Sequence, residues 1–571
     1  MNLLPMPRES AFGTEMTPWQ APLVVTDPSL PAQGYSITVA ASTVTIHAAD
    51  DAGAFYARMT LVQLRRLHDG QLPVGSVRDW PDLAERGVML DVSRDKVPTL
   101  ATLCALIDRL AEWKINHIEL YAEHTFAYAD HEVVWRDASP FTAEDIDTID
   151  AFCRARHIRL VPNQNCLGHM NRWLSHEPYR ALAMDPDGYV MMGMRRPPST
   201  IEPTNPASLV LVRSLLAELL VHFSDPTYVN LGLDEPWEMP AGRFDDYLTW
   251  VHTLRAVPEL AGREILIWGD ILAAHPDRLG DLPAGVTVCE WGYDADHPWS
   301  ARLAALEAAG VARWVAPGTS SWLTVLGRTT NMRANITEAI DAAIAHGADG
   351  MLNTDWGDNG HLQYPAVSDP GLAFGAAMSW CAATNRSIDL SGALSRHCYD
   401  DPDGDLGAIV LALGNVYLRL TPQVWNVATM VLPLYFPQLD IGRGPLEGAT
   451  PEEYDAIDTD LDALSTRLDA TAARRADATL IVDELKNSIA LVRVLGDDAR
   501  ARLAVGGALA KVNPAVRHQL ADRLRPVIRE HERLWLERNR PGGLRESRAW
   551  LEHLLDCYET GVVDRGWSGP E

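Results

Sequence analysis

The sequence predicts an α/β protein: a (β/α)8 TIM barrel with a small N-terminal α+β domain and an all-helical C-terminal domain. Eight short apolar runs recur between residues 84 and 385, and sequence of helical period separates them. Eight strand–helix repeats over roughly 300 residues are what such a barrel requires. A few short stretches typical of strands lie before this region, and such stretches become rare after it.

We expect the small α+β domain over residues 1–83. Within it, residues 34–50 contain two short stretches of alternating apolar and polar residues, which is typical of half-buried strands. Residues 51–70 carry apolar residues at helical spacing and end at Gly70, so they predict a helix.

We expect the barrel over residues 84–385. The runs interpreted as its strands are RGVMLD (86–91), INHIELYAE (115–123), IRLVPNQN (158–165), YVNLGLDE (228–235), EILIWGD (264–270), VTVCEWG (286–292), ARWVAPG (312–318) and GMLNTDWGD (350–358). A doubly wound sheet is disfavoured, because DVSRDKVP follows the first run instead of a Gly-rich phosphate loop. A long excursion, residues 166–227, follows the third run, and such loops usually carry function.

Residues 386–571 predict the helical domain, since Ala, Leu, Arg, Asp and Glu recur there at helical spacing. The formal net charge of −28 argues against nucleic acid and anionic membranes as partners. The 7 cysteines are scattered and form no C-x-x-C pair, so we expect free thiols. No secretory leader or membrane span is recognisable, which predicts a cytoplasmic location.

Chemistry in a barrel lies at the carboxyl ends of the strands. The polar and aromatic residues at the ends of runs two to eight are Tyr121, Glu123, Asn163, Asn165, His169, Asp234, Glu235, Trp237, Trp268, Asp270, Glu290, Trp291, Tyr293, Ser320, Ser321, Trp322, Asp355, Trp356 and Asp358. Four of the 18 Trp residues fall at or just beyond runs five to eight. Aromatic rings pack on the C–H faces of sugars while carboxylates bind hydroxyls, so this pattern favours glycoside chemistry without a metal or cofactor.

Asp234 and Glu235 are adjacent on one strand end. The two carboxylates of an ordinary retaining glycosidase lie about 5 Å apart across the site. The side chains of two neighbouring residues point in different directions, so Asp234 and Glu235 are not such a pair. One of them can protonate the leaving group while the other contacts another part of the substrate. This arrangement suits a substrate that supplies its own nucleophile.

These residues resemble glycoside hydrolase family 20, the β-N-acetylhexosaminidases. RGVMLDVSR is similar to the first-strand segment of that family, LGLDE to its Asp–Glu motif, and the unit ending TLVQLRRL to its small domain. The stretches LYAEHTFAY, NCLGHM, PGTSSW and TDWGDNGH look closer to a hexosaminidase-D-like bacterial branch. The resemblance covers residues 30 to about 385.

The resemblance implies a retaining exo-enzyme that releases terminal GlcNAc or GalNAc through an oxazolinium intermediate. Glu235 would be the general acid and then the base, and Asp234 would orient the 2-acetamido group. His169 would tune Glu235 through a carboxylate partner, for which Glu123 stands at the end of strand two. Arg86 would bind sugar hydroxyls at the pocket floor. The remaining expected substrate contacts are Trp237, Trp268, Asp270, Trp291, Tyr293, Trp322, Trp356 and Asp358.

The chain departs from the family pattern after strand seven, where the usual Tyr–x–Asp is not evident in PGTSSWLTV. Tyr293 or a serine is the candidate replacement for that acetamido contact. Three alternatives stay open: a metal-dependent barrel hydrolase, a barrel glycosidase of altered specificity and a non-catalytic sugar-binding protein. The expected partner is a small oligosaccharide or glycoconjugate, and a homodimer is the candidate assembly.

Overall fold

The computed structural model describes residues 2–191, 194–564, 567 and 569. Met192 and Gly193 of the predicted excursion lie outside the described residues. The small domain consists of β1 (Glu9–Pro18), β2 (Leu23–Thr26), β3 (Tyr35–Val39), β4 (Val44–Ala48), α1 (Asp51–Leu67) and β5 (Gln71–Asp79). Its sheet has the order β1-β5-β3-β4-β2, and α1 packs against it. Both strands predicted within residues 34–50 and the helix that follows them are present.

The strands after residue 84 are β6 (Glu85–Asp91), β7 (His117–Tyr121), β8 (Arg159–Val161), β9 (Tyr189–Met191), β10 (Met194–Arg196), β11 (Tyr228–Asn230), β12 (Glu264–Trp268), β13 (Val286–Trp291), β14 (Ala312–Ala316) and β15 (Gly350–Asp355). All except the β9–β10 hairpin belong to one parallel sheet in the order β11-β12-β13-β14-β15-β6-β7-β8. A parallel bridge between Asn163 and Asn230 joins its two edges. The eight predicted strands therefore form the predicted barrel.

The helices between the barrel strands are α2 (Leu100–Glu112), α3 (Glu132–Trp135), α4 (Ala143–Arg154), α5 (Asn171–Leu174), α6 (Glu177–Arg180), α7 (Pro206–Leu219), α8 (Phe244–Arg255), α9 (Asp270–Ala273), α10 (Trp299–Ala308), α11 (Thr329–Ala345) and α12 (Pro365–Trp380). The C-terminal region adds α13 (Ala382–Asn385), α14 (Leu390–His397), α15 (Leu406–Leu413), α16 (Leu432–Tyr435), α17 (Pro451–Asp469), α18 (Ala478–Leu503), α19 (Pro514–Arg538) and α20 (Leu544–Thr560). The all-helical prediction for this region is confirmed for the residues that the structure describes.

The small domain is joined to the amino-terminal end of the barrel by buried polar contacts. Lys114 Nζ lies 3.0 Å from Asp79 Oδ2, which also accepts a hydrogen bond from Trp380 Nε1 at 2.9 Å. A buried ion pair is costly to break because the remaining charge loses its partner. These contacts fix which end of the barrel is covered and leave the carboxyl ends of the strands for the site.

Arg86 belongs to this interface, which corrects the expectation that it lines the sugar pocket. It lies at the beginning of β6, and its guanidinium donates to the carbonyl oxygens of Leu83 and Lys114 and to Gln33 Oε1, each at 2.9 Å. Its side chain is fully buried. Because the site lies at the other end of the strand, Arg86 holds the small domain against the barrel instead.

The helical domain contacts the loop that follows β6. Lys96 is buried there, with its ammonium donating to the carbonyl of Gln363 at 2.7 Å and lying 5.4 Å from the ring centroid of Trp535 on α19. Burial lowers the pKa of Lys96 to about 7, although Asp355 and Glu484 oppose that effect. This lysine therefore titrates where barrel and helical domain meet.

We expect Lys96→Met to raise the unfolding temperature by roughly 1–3 °C near pH 7, because the variant no longer buries a charge. Folding moves the pKa of Lys96 from 10.5 to about 7. Between those values the unfolded wild-type chain binds more protons than the native chain, so native stability rises with pH. The advantage of the variant must then shrink from pH 7 to pH 10. Thermal unfolding at both pH values measures this difference, and an advantage that grows with pH contradicts it.

The seven cysteines are free and six of them are buried, as expected. Within the described part of the chain, no helix has both the length and the apolar character needed to cross a membrane. The cellular location stays a prediction.

Candidate active site

The loop after β11 turns the two adjacent acids towards one side. In an extended strand, neighbouring side chains point to opposite faces. Here Gly232, Leu233 and Glu235 have φ angles of 69°, 66° and 46°, so the chain leaves the strand before the acids. The backbone N–H of Glu235 donates to Asp270 Oδ2 at 3.1 Å, which holds this uncommon conformation. Asp270, predicted as a substrate contact, therefore also positions Glu235.

His169 lies between the two carboxylates. Its Nε2 atom is 3.3 Å from Asp234 Oδ2 and 3.4 Å from Glu235 Oε2. The residue before it is Gly168, where a Cβ atom would stand only 2.2 Å from the carbonyl oxygen of Asp234. A glycine is needed at this position because the loops after β8 and β11 approach so closely.

Asp234 is the more deeply enclosed of the two acids. Its side chain is buried, and its Oδ1 accepts a hydrogen bond from Asn165 Nδ2 at 2.7 Å. Burial acts to raise the pKa of Asp234, but the nearby charge of His169 and the hydrogen bond from Asn165 lower it below the ordinary value. The side chain of Glu235, in contrast, is 30% exposed. Asp234 is thus a fixed anion, and the side chain of Glu235 is partly open to solvent.

The other ring nitrogen of His169 faces Arg94 and Glu123. Arg94 Nη2 lies 3.2 Å from Nδ1, and Glu123 Oε1 lies 4.0 Å from the same atom. Burial opposes ionisation of His169, but Asp234 and the contacts to both acids raise its pKa well above the ordinary value. Glu123 also accepts a hydrogen bond from the hydroxyl of Tyr121 at 3.0 Å, so it supports His169 from the side away from the pocket acids.

Arg94 is the site residue that sequence reasoning missed. It follows β6 by three residues and stands in DVSR, a segment that the strand-end rule covers. Its guanidinium contacts Asp91 Oδ2 at 3.3 Å and Glu123 Oε1 at 3.4 Å. It also lies over the rings of Tyr121 and Trp356, at 4.8 and 4.9 Å from their centroids. The arginine beside His169 therefore follows the carboxyl end of the strand in which Arg86 is the second residue.

Asp358 is a further carboxyl group whose pKa the charges of Arg94 and Glu235 affect. Burial raises its pKa to about 6, while Arg94 acts in the opposite direction. Burial and the charge of Asp234 likewise raise the pKa of Asp270. Several carboxyl groups thus share one small region, and their unequal surroundings separate their proton affinities.

The aromatic residues predicted after strands five to eight form one group. Trp356 packs against Tyr121 and Trp268, with centroid separations of 4.8 and 5.9 Å. Tyr293 stacks on Trp291 at 5.2 Å, and its hydroxyl accepts a hydrogen bond from Trp356 Nε1 at 2.7 Å.

Trp322 packs edge-on against Tyr293, with centroids 4.9 Å apart, and is itself buried. The structure therefore brings Trp268, Trp291, Tyr293, Trp322 and Trp356 together as expected.

Trp237 differs from this group. It is 46% exposed and stacks on Tyr189 of the β9–β10 hairpin. Its position two residues after Glu235 keeps it near the acids, but its ring contact is with the excursion after β8 and not with the buried aromatic group. The sequence contained no indication of the Tyr189 partner.

Two family models match the chain in the region that carries this geometry. Residues 5–80 match glycosyl hydrolase family 20, domain 2, and residues 84–253 match the catalytic domain of the same family. Residues 5–80 and 84–253 are therefore family 20 domains. The second match includes Arg94, His169, Asp234 and Glu235, so the residues around His169 lie within the catalytic domain of the family.

The sequence relatives that are named for an enzymatic activity are distant from this chain. A lacto-N-biosidase of Bifidobacterium bifidum is 25% identical over 217 residues, which are 38% of this chain and 18% of the relative. A beta-hexosaminidase A of Caenorhabditis briggsae is 25% identical over 214 residues, which are 35% of this chain and 38% of the relative. The chain thus spans less than two fifths of the length of either relative.

Solved structures of the family share the fold. A family 20 exo β-N-acetylglucosaminidase of Vibrio harveyi, in complex with N-acetylglucosamine, superposes with a TM-score of 0.53 at 18% identity. That match covers 66% of this chain and 73% of the other. A β-N-acetylhexosaminidase of Bacteroides fragilis gives a TM-score of 0.53 at 17% identity and covers 66% and 90%. Placement in a hexosaminidase-D-like branch stays a prediction.

Proposed function

We propose that this protein is a retaining exo-β-N-acetylhexosaminidase that releases terminal GlcNAc or GalNAc by substrate-assisted catalysis. One observation carries the proposal: Asp234 and Glu235 both contact Nε2 of His169, at 3.3 and 3.4 Å, although they are neighbours in sequence. Two adjacent acids that converge on one point cannot flank a glycosidic bond from opposite sides. A nucleophile supplied by the substrate fits this arrangement.

The difference in burial between the two acids supports separate roles. Glu235 has the accessible side chain, so it donates a proton to the leaving oxygen and later takes a proton from the attacking water. Asp234 has the buried side chain and a lowered pKa, so it remains an anion. That anion orients the N–H of the 2-acetamido group and stabilises the positive charge of the oxazolinium intermediate. The acetamido carbonyl oxygen attacks the anomeric carbon, and the bond to the aglycone breaks.

Arg94 replaces Arg86 in the proposal as the ligand of sugar hydroxyls. Its side chain is 20% exposed, in contrast with the fully buried side chain of Arg86. Asp358 lies close enough for its charge and that of Arg94 to affect each other. A planar cation beside a carboxylate offers donors and acceptors to neighbouring hydroxyls of one pyranose.

His169 is a positioning residue in this scheme. A hydrogen bond from Arg94 to Nδ1 leaves the proton of a neutral imidazole on Nε2, where it faces both acids. Protonation adds a donor at Nδ1, and Glu123 is the carboxylate on that side. In either form His169 keeps the two acids oriented, and Glu123 acts through His169 and Arg94.

The aromatic group forms the proposed enclosure for the acetamido group and the sugar face. We assign the contact that Tyr–x–Asp makes in the family pattern to Tyr293, because Trp356 Nε1 fixes its hydroxyl and Trp291 stacks on its ring. Apolar faces exclude water from the reacting centre, which strengthens the charge interactions there.

Hydrolysis of four p-nitrophenyl β-glycosides tests the proposal: GlcNAc, GalNAc, glucose and galactose. We expect turnover of the N-acetyl sugars and at least about 10³-fold less of the plain glycosides, because only the former carry the nucleophile. Comparable rates on all four indicate a glycosidase of altered specificity. Binding of GlcNAc without turnover indicates a sugar-binding protein, and loss of activity with a chelator indicates a metal-dependent hydrolase.

A further inference from the structure

The loops after β6 and β8 are joined by an ion pair beside the contact between Arg94 and His169. Asp95, the residue that follows Arg94, accepts a hydrogen bond through Oδ1 from Arg172 Nη2 at 3.1 Å. Arg172 follows His169 by three residues and belongs to the short helix α5. The ion pair therefore connects the same two loops as the contact of 3.2 Å between Arg94 Nη2 and His169 Nδ1.

Both loops have an uncommon backbone conformation at this point. Asp95 has a φ angle of 69° and His169 one of 53°. A residue other than glycine keeps a positive φ angle only where its surroundings hold it there. On the β8 side, the buried Trp173 of α5 donates from Nε1 to the carbonyl oxygen of Glu123 at 2.6 Å. Arg172 thus extends towards Asp95 from a turn that is itself anchored.

The helical domain confines Asp95 from another side. In the turn between α19 and α20, the backbone N–H of Arg540 donates to the carbonyl oxygen of Val97 at 2.8 Å. Gly543, which precedes α20, has a φ angle of 78°, and a Cβ atom there would stand 1.7 Å from the carbonyl oxygen of Asp95. The side chain of Asp95 is only 9% exposed. Asp95 is therefore enclosed between the helical domain and α5.

Asp95 is an ionisable group within this enclosure. Burial raises the pKa of Asp95 to about 7, while Arg172 acts in the opposite direction. The other charged groups around it are Glu546 on α20, Asp91 at the end of β6 and Glu123 after β7, which all raise this pKa, and its neighbours in the chain, Arg94 and Lys96. The pair of Asp95 with Arg172 is therefore fully ionised only above neutral pH.

We propose that Asp95 and Arg172 are positioning residues for the proposed reaction. Their ion pair fixes the distance between Arg94 and His169, and it acts on the substrate only through these two residues. The inference rests on the proposed function, in which Arg94 binds sugar hydroxyls and His169 orients the two acids. A charged pair that is largely shielded from water holds two loops more firmly than an exposed pair does. A displacement of about 1 Å at a site of this kind can lower the rate by up to about 10²-fold.

The experiment compares kcat/KM of the wild type and of Asp95→Asn for p-nitrophenyl β-GlcNAc at about pH 5.5 and about pH 8, on either side of the pKa of Asp95. The Asn side chain has the shape of the protonated acid, and Asn adopts a positive φ angle readily. At the lower pH the wild-type acid is protonated, so we expect the two values of kcat/KM to agree within about twofold. At the higher pH only the wild type has the ion pair, and we expect Asp95→Asn to be about tenfold slower.

Variants of the partner and of a distant pair complete the design. At the higher pH, Arg172→Met should show the same loss, and Arg172→Lys should recover part of it. The double variant should lose no more than either single variant, because both substitutions remove one interaction. Asp341→Asn is the matched control, since Asp341 pairs with Arg386 on the surface of α11, and its kcat/KM should equal that of the wild type at both pH values.

The outcomes separate the two proposals. A wild-type chain that does not hydrolyse the N-acetyl substrate refutes the proposed function and the positioning roles with it. An active wild type, beside an Asp95→Asn variant that loses the same factor at both pH values, refutes the positioning roles alone and gives the ion pair a purely structural role. An unchanged kcat/KM at the higher pH also overturns them. A loss that appears only at the higher pH, is shared by Arg172→Met and is absent from Asp341→Asn supports them.

Discussion

Replacing Glu235 by Gln is expected to lower kcat for p-nitrophenyl β-GlcNAc by about 10²–10⁴-fold. The amide has nearly the same size as the acid but has no acidic proton for the leaving oxygen. The backbone contact from Glu235 N–H to Asp270 does not involve the side chain, so the loop conformation should persist. The change therefore tests proton transfer and leaves the fold largely unaltered.

The dependence on the leaving group makes this prediction specific. A poor leaving group needs the proton most, so the Gln variant should lose least on a dinitrophenyl glycoside and most on a disaccharide. Steady-state kinetics over a series of aryl and sugar aglycones measures the trend. Glu259→Gln serves as the control, because Glu259 pairs with Arg213 at the surface. An equal loss of kcat for every aglycone would show that Glu235 is not the general acid.

Asp234→Asn is expected to lower kcat on N-acetyl substrates by about 10²–10³-fold, the usual cost of losing one preorganised electrostatic contact. The Asn carbonyl can still accept the hydrogen bond from Asn165, which the wild-type carboxylate accepts at 2.7 Å. What disappears is the negative charge that would face the oxazolinium ion. Glu235 remains in place, so the loss should be nearly the same for all leaving groups.

The comparison between the two variants is therefore the decisive measurement. A loss that depends on the leaving group in Glu235→Gln, beside a uniform loss in Asp234→Asn, assigns the two roles as proposed. The reverse pattern would exchange the roles of the two acids. Full activity of Asp234→Asn would show that the acetamido group takes no part in the reaction.

The strands could be predicted from the sequence because their signal is local. All eight predicted runs overlap an observed strand, and β15, for example, extends from Gly350 to Asp355 within the predicted run 350–358. The predicted runs are often too long at their carboxyl ends. The run 228–235 contains only three strand residues, since positive φ angles from Gly232 onwards take the chain out of the sheet.

The pocket arginine shows where local reasoning failed. Arg86 is the second residue of the first barrel strand and Arg94 follows the end of that strand, and the expected sugar ligand was Arg86. The rule that chemistry lies at the carboxyl ends of barrel strands favours Arg94, because Arg86 stands at the beginning of the strand. The interface that encloses Arg86 is formed with a separate domain, and no pattern around residue 86 indicates it.

The sequence by itself determined the eightfold repeat, the small domain before it, the helices after it and the position of Asp234 and Glu235 at a strand end. Periodicity and adjacency are properties of neighbouring residues, so they can be read from the chain alone. Only the tertiary structure decided that His169 lies between the two acids, that Arg94 reaches His169 across 75 positions of sequence and that Tyr189 stacks on Trp237. These contacts join different loops, and their geometry depends on how the closed barrel brings the ends of its strands together.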